Sequence, residues 1–221
     1  MNLEELVTLY ESPGSVPPNR GLDGLAKFDW SSVSDAYGPA TKVPALIRAL
    51  VSTEPTHRDF AVQALCQHIY HQGTVYSATA KVVPVLHELL ISEATPDQTL
   101  IAFLLALVAD GTAPFQRCED DADEAARWRE ILQKQNRSLD EEMAEGQRFM
   151  AELRANLLET FSDLYPYLRD PNFEVRHAIV VAIGNFPDIA RRVRPDLEAA
   201  LEREEDQYVR EVLRNVIERA N

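Results

Sequence analysis

The chain has 221 residues, 45% of them hydrophobic and 26% charged, the balance of an ordinary globular domain. That length carries one sizeable core and predicts a single domain over residues 1–221. Acidic residues outnumber basic ones 36 to 22, for a net charge of -14; this argues against nucleic acid or an anionic membrane surface as partner, since both call for clustered Lys and Arg.

Residues 1–30 read as an N-terminal helix and loop. Leu3 to Tyr10 has the spacing of a short amphipathic helix, and the cluster Pro13, Gly14, Pro17, Pro18 and Gly21 reads as a loop after it. The opening Met1-Asn2-Leu3-Glu4-Glu5-Leu6 lacks the basic start and apolar run of a signal peptide, which predicts a cytoplasmic protein. Asp29 is placed to cap a short helix from Trp30 to Tyr37, with Gly38 as its stop. Val43, Leu46, Ile47 and Leu50, then Val62, Leu65 and Ile69, recur at the three-and-four spacing of one helix stripe. Gly73, Gly111 and Gly184 each follow such a run and are expected to end it. The longest apolar run, Leu100 to Ala109, is ten residues, against the roughly 20 of a membrane span. It predicts a fully buried helix.

Residues 112–160 break the pattern. Leu139, Met143, Met150, Leu153 and Leu157 share one helical face, and Trp128, Ile131 and Leu132 form a second apolar patch. One or two long helices docked on one side are expected, with Asn136-Arg137-Ser138 capping the second. The last run, Val209, Val212, Leu213, Val216 and Ile217, is again helical.

An internal repeat runs through these elements. Tyr37 to Leu46 parallels Tyr76 to Leu86, with Pro44 and Pro84 40 residues apart. Asp170-Pro171-Asn172-Phe173-Glu174-Val175-Arg176 parallels Glu204-Glu205-Asp206-Gln207-Tyr208-Val209-Arg210, 34 residues on. Self-similarity at these periods, carried by helix pairs, points to an all-α α-solenoid.

Leu164 to Asp170, followed by Val175-Arg176-His177-Ala178 and Ala182-Ile183-Gly184, resembles the HEAT-repeat family. The resemblance implies about four HEAT-like helix pairs, near 43–73, 82–111, 161–188 and 193–221, with a helical insertion between the second and third. His57-Arg58 stands where the first pair would carry Val-Arg, and Asp97 to Leu100 in the second has no Arg. Asp29 to Leu90, with Tyr70-His71-Gln72-Gly73-Thr74-Val75-Tyr76, is similar to a bacterial group of small HEAT-repeat proteins. In that family the turn Asp and the following Arg tie consecutive turns together, which implies that role for Asp170 and Arg176.

Catalytic signatures are scarce. Cys66 and Cys118 sit in unrelated contexts and read as reduced thiols. His68 and His71 share a helix face with Cys66 nearby, but no third and fourth ligand completes a zinc site. Imidazoles bonded to turn backbone beside Gly73 are the expected arrangement. His87-Glu88 is one His-Glu pair, whereas the HEAT-repeat deoxyhypusine hydroxylases hold di-iron through several; His87 reads as a surface or groove residue. Arg191, Arg192 and Arg194 are offset by Asp188, Asp196 and Glu198. No catalytic, cofactor or metal-binding residue is assigned.

The function expected from this reading is a protein–protein interaction module, a HEAT-repeat scaffold or adaptor. The charge of -14 favours a partner with a basic surface, and an immunity-type inhibitor of a basic toxin is one concrete version. The alternative is an enzyme of HEAT-like fold, such as a DNA glycosylase or bilin lyase. In HEAT repeats the second helix of each pair lines the concave face, which points to His68, His71, Gln72, Arg176 and His177 as contacts. Against that, Tyr70 to Tyr76 also reads as a structural corner between repeats. The sequence sets no oligomeric state.

Overall fold

A computed structural model describes residues 1–220. The protein is all-α apart from two hairpins with strands of two residues each. The elements are α1 (Leu3–Tyr10), β1 (Ser34–Asp35), β2 (Gly38–Pro39), α2 (Val43–Ala49), α3 (Pro55–Ile69), β3 (Tyr70–His71), β4 (Thr74–Val75), α4 (Ser77–Leu90) and α5 (Gln98–Ala109). After them come α6 (Ala122–Lys134), α7 (Leu139–Leu164), α8 (Phe173–Gly184), α9 (Pro187–Arg192), α10 (Arg194–Arg203) and α11 (Gln207–Arg219). No helix among the described residues is long and apolar enough to cross a membrane.

Two series of contacts order these helices. α4 packs on α5 and α7, and the 3-10 turn Tyr165–Arg169 that closes α7 packs on α8 and α10. On the other side α3 meets α5, α5 meets α8, and α8 meets α11. One hydrophobic core runs from Leu6 to Ala220 through every helix but α6. The predicted stripes are inside it: Val43, Leu46, Ile47, Leu50, Leu65 and Ile69 are buried, as are Val209, Leu213, Val216 and Ile217. The apolar run on α5 departs from expectation. Ile101, Leu104, Leu105 and Val108 are fully buried, yet Phe103 is 47% exposed.

Several boundaries differ from the sequence reading. Residues 13–30 are packed rather than loose. A 3-10 helix over Arg20–Lys27 lies along α4, and Gly21 comes so close that a side chain there would meet the Leu89 backbone at 2.9 Å. Buried Asn19 donates to Thr95 and accepts from Ser92. The expected helix Trp30–Tyr37 is only a 3-10 turn, Trp30–Ser32, capped by Asp29, and Gly38 belongs to the β1–β2 hairpin. Gly73 likewise turns a hairpin, at φ 87°. Gly184 does close α8, but without a left-handed backbone: a Cβ there would meet a Val216 methyl at 2.7 Å, so the missing side chain lets α8 and α11 approach.

The insertion is not separable at residue 160. α7 is one 26-residue helix from Leu139 to Leu164, about 39 Å long. Its first part joins Cys118, Ala125 and Leu132 in a small satellite core, and its later residues Phe149, Leu153, Leu157 and Phe161 enter the main core. The 136–138 joint ends α6 instead of capping α7. Asn136 is left-handed at φ 56° and the Arg137 amide returns to the Leu132 carbonyl, closing a Schellman turn, whereas Ser138 makes no capping bond.

Three helices start with the same contact. Arg58, Arg176 and Arg210, each the fourth residue of its helix, donate to the carbonyl six residues earlier, on Ser52, Asp170 and Glu204 (2.8, 2.8 and 2.6 Å). Arg176 also reaches the next turn, but its partner there is Glu204. Nε and Nη2 bind the two Glu204 oxygens at 2.7 and 2.6 Å. The Asp170 carboxylate instead accepts from the Asn172 amide. The Glu204 side chain is 3% exposed, and the Arg176 guanidinium holds its carboxyl below the ordinary 4.5, so the pair stabilises the fold above that value and is lost as pH falls through the lowered one. Glu204→Gln is expected to cost about 3 kcal/mol near neutral pH, the lower end for breaking a buried pair. Urea unfolding at neutral pH and below the native carboxyl's titration should show the gap between variant and wild type closing in acid.

Candidate functional site: a groove across four helices

On the face formed by α3, α5, α8 and α11 several large apolar side chains stay uncovered. On α5, Thr99, Phe103, Ala106 and Asp110 lie on one stripe; on α8, Phe173, His177 and Val181 do. A cavity of about 680 Å³ sits between these stripes and Tyr208 at the start of α11. A larger one, about 860 Å³, lies between the β1–β2 hairpin and α3, lined by Tyr37, Phe60, Gln63 and Gln67 among others; it is the first cavity of the groove and the 680 Å³ one the second. Phe103 belongs to both cavities and makes them one groove. Tyr37 at 64% and Tyr208 at 61% are the most exposed large apolar side chains of the chain, and both stand on this face.

The hairpins fix the first end of the groove. Asp35 on β1 accepts from the Tyr37 amide through Oδ1 and from His68 Nδ1 through Oδ2, at 2.8 and 2.6 Å. The His68 carbonyl accepts from the Ala36 amide at 2.9 Å. Both side chains of the Asp35–His68 pair are nearly sealed from solvent, 2% and 6% exposed. Tyr37 then lies edge-on to His68 and His71, with ring centroids 5.0 and 5.9 Å away. Cys66 lines the same cavity, but burial pushes its thiol up to about 11, so it stays protonated near neutral pH and is no nucleophile.

The five residues expected at a contact surface do not converge. His68 lies in the groove wall but is buried, and its Nδ1 goes to Asp35, not to turn backbone. His177 faces the second cavity and stacks on Tyr208, centroids 4.7 Å apart and planes 27° from parallel. Burial pushes the His177 imidazole below its ordinary value, against a smaller opposing pull from Asp206. Arg176 is tied into the turn by Glu204. His71 and Gln72 line a different cavity, about 890 Å³ and more polar, between the hairpins and the α6–α7 segment.

The Tyr70–Tyr76 segment has the geometry of a corner. Tyr70 pairs with Val75 and His71 with Thr74, Gln72 and Gly73 turn with positive φ, and Thr112 adds to the hairpin edge through the Val75 amide and the Gly73 carbonyl. His71 Nδ1 has no hydrogen-bond partner. His87 is half-buried with Nε2 3.2 Å from Asp163 on α7. Among the described residues no group of three or more His, Cys, Asp or Glu is placed to hold a metal.

Sequence reasoning missed the aromatic residues that line the groove: Tyr37, Phe60, Phe103, Phe173 and Tyr208. The available signal was α5 itself. A helix apolar on every side must be buried on every side or leave one apolar face open, and here the neighbouring helices cover only part of it. Asp35→Ala leaves the His68 ring N–H unpaired inside the protein and is expected to cost about 1–3 kcal/mol, read as a lower midpoint in urea unfolding.

No family model matches the chain, and no curated protein matches it. A solved structure of an engineered protein is similar at 22% identity, covering 100% of this chain and 97% of that one, with a TM-score of 0.33, which is too low to bear on the fold.

Proposed function

We propose that the protein is a protein-binding module, an α-solenoid of four HEAT-like helix pairs whose second helices α3, α5, α8 and α11 present the binding face. The observation that carries this reading is the uncovered groove along those helices, continuous at Phe103 and edged by Tyr37 and Tyr208. A cluster of exposed apolar side chains in a groove is the kind of surface that marks an interaction site. The arginine contact repeated at the start of α3, α8 and α11 supports the repeat reading, since each unit closes its turn in the same way.

The partner favoured by charge is basic. The chain carries -14, and the charged groups of the second cavity are Asp110 and Glu174. Inhibition of a basic toxin by an immunity-type protein is the concrete version of this reading. The enzyme alternative has less behind it: the Asp35–His68 pair lines a cavity, but the adjacent thiol is protonated and Lys42 on the same lining is paired with Glu4.

The test is capture from lysate of the source organism with tagged wild type, the double variant Tyr37→Ser/Phe103→Ser, and Leu158→Ser. Leu158 is an exposed apolar residue of α7 that lines neither groove cavity. One basic protein should be retained by wild type and by Leu158→Ser, lost from the double variant, and released as ionic strength rises and screens the attraction. Equal capture by all three, or none by any, overturns the reading, provided thermal melts show the variants folded.

A further inference from the structure

The second cavity is walled by four rings, Phe103 from α5, Phe173 and His177 from α8, and Tyr208 from α11. Phe173 is 44% exposed and Tyr208 61%, so their surfaces are open to an incoming group. His177 and Tyr208 are already stacked, which orients the Tyr208 ring on the cavity wall. The charged side chains lining this cavity are both acids, Asp110 and Glu174. Neither is in an ion pair among the described residues; Asp110 accepts only from the Tyr70 hydroxyl, at 3.4 Å.

Ring faces carry negative electrostatic potential, and two unpaired carboxylates add to it. The space is mainly apolar and its two carboxylates repel an anion, and a purely apolar group would leave those carboxylates unanswered. A cation with a flat, weakly hydrated surface satisfies both features. Burial that keeps the His177 imidazole neutral removes the one lining group whose positive charge would oppose it.

We propose that this cavity is a receptor for an arginine side chain of the basic partner, the guanidinium stacking among Phe103, Phe173 and Tyr208 and pairing with Glu174 or Asp110. The inference rests on the binding-module reading and names the anchor that it lacks. Arginine is favoured over lysine because a planar guanidinium stacks on rings and forks onto a carboxylate at once, whereas an ammonium is a compact, strongly hydrated charge. A protein segment is favoured over a free organic cation because the cavity opens at Phe103 into the rest of the groove, which gives the flanking residues of a bound chain somewhere to lie.

The probe is N-acetyl-arginine-methylamide, titrated into the full chain and followed by NMR at the rings of Phe173, His177 and Tyr208. Its neutral twin built on citrulline and its lysine twin are run beside it, with choline as a free quaternary ammonium. The arginine probe is expected to shift these rings saturably and to bind about tenfold tighter than the citrulline twin, the size of one well-formed cation–π contact. Tyr208→Ala and Phe173→Ala should each weaken it about tenfold, Tyr208→Phe should keep it, and Glu174→Gln should weaken it and flatten its salt dependence. The three positions, Phe173, Glu174 and Tyr208, are exposed, and thermal melts are to check that the four variants fold. Equal binding of arginine and citrulline probes, tighter binding of the lysine probe or of choline, or shifts that ignore the ring variants overturn the proposal. If lysate capture still depends on Phe103 while the arginine probe is ignored, the groove reading stands and the arginine site falls. If the probe binds but nothing is captured, the module reading is the one that fails.

Discussion

The placement of one guanidinium at the start of a helix organises much of this molecule. A turn between two packed helices leaves carbonyls pointing away from any helical donor, and such groups are costly once covered. Arg58, Arg176 and Arg210 answer them with the same nitrogen at the same sequence distance. Arg176 extends the contact to Glu204 and so couples one turn to the next. In α5 the equivalent fourth position is Ile101, which is fully buried, and the preceding turn is closed instead by Gln98 donating to the Leu90 carbonyl. The second turn therefore depends more on packing and less on charge than its neighbours.

Because the turns are closed from within, the faces of α3, α5, α8 and α11 need not supply those bonds. Their stripes are free to carry aromatic groups. α5 contributes most: its apolar residues fill the core with Ile101, Leu104, Leu105 and Val108 while Phe103 is left at the junction of two cavities. The carboxylates at the groove belong to the same economy of position. Asp110 is the C-terminal cap residue of α5 and Glu174 lies in the first turn of α8, where its charge favours the helix N-terminus.

The two hairpins perform a second kind of closure, at the ends of helices where the chain reverses. Asp35 on the first holds His68 from the end of α3, and the second is completed by Thr112 beyond α5. Residues far apart in sequence are locked there by buried polar bonds, whose loss leaves donors without water or partner. Phe115, three residues after Thr112, lies edge-on to Trp128 with ring centroids 5.1 Å apart and seats α6 on the segment that follows the second hairpin.

What the sequence determined by itself was periodicity. Apolar residues at three and four spacing marked helical stripes at 43–50, 62–69 and 209–217, and the apolar run 100–109 marked another helix, because a helix is a local structure whose buried stripe is written in consecutive residues. The parallel between Asp170–Arg176 and Glu204–Arg210 put Arg176 and Arg210 at equivalent positions, but did not reveal the carbonyl contact they share or the Glu204 partner. Only the tertiary structure decided partners and exposure. That Arg176 answers Glu204, that His68 is spent on Asp35, and that Phe103 rather than His71 or Gln72 stands at the groove all depend on which helix lies beside which. Such contacts join residues 28 or more positions apart, a distance over which no local pattern in the chain constrains geometry. The same holds for the 160 boundary, where the repeat pattern resumes but no helix begins: α7 runs on because Phe161 and Leu164 continue the stripe that Leu153 and Leu157 begin.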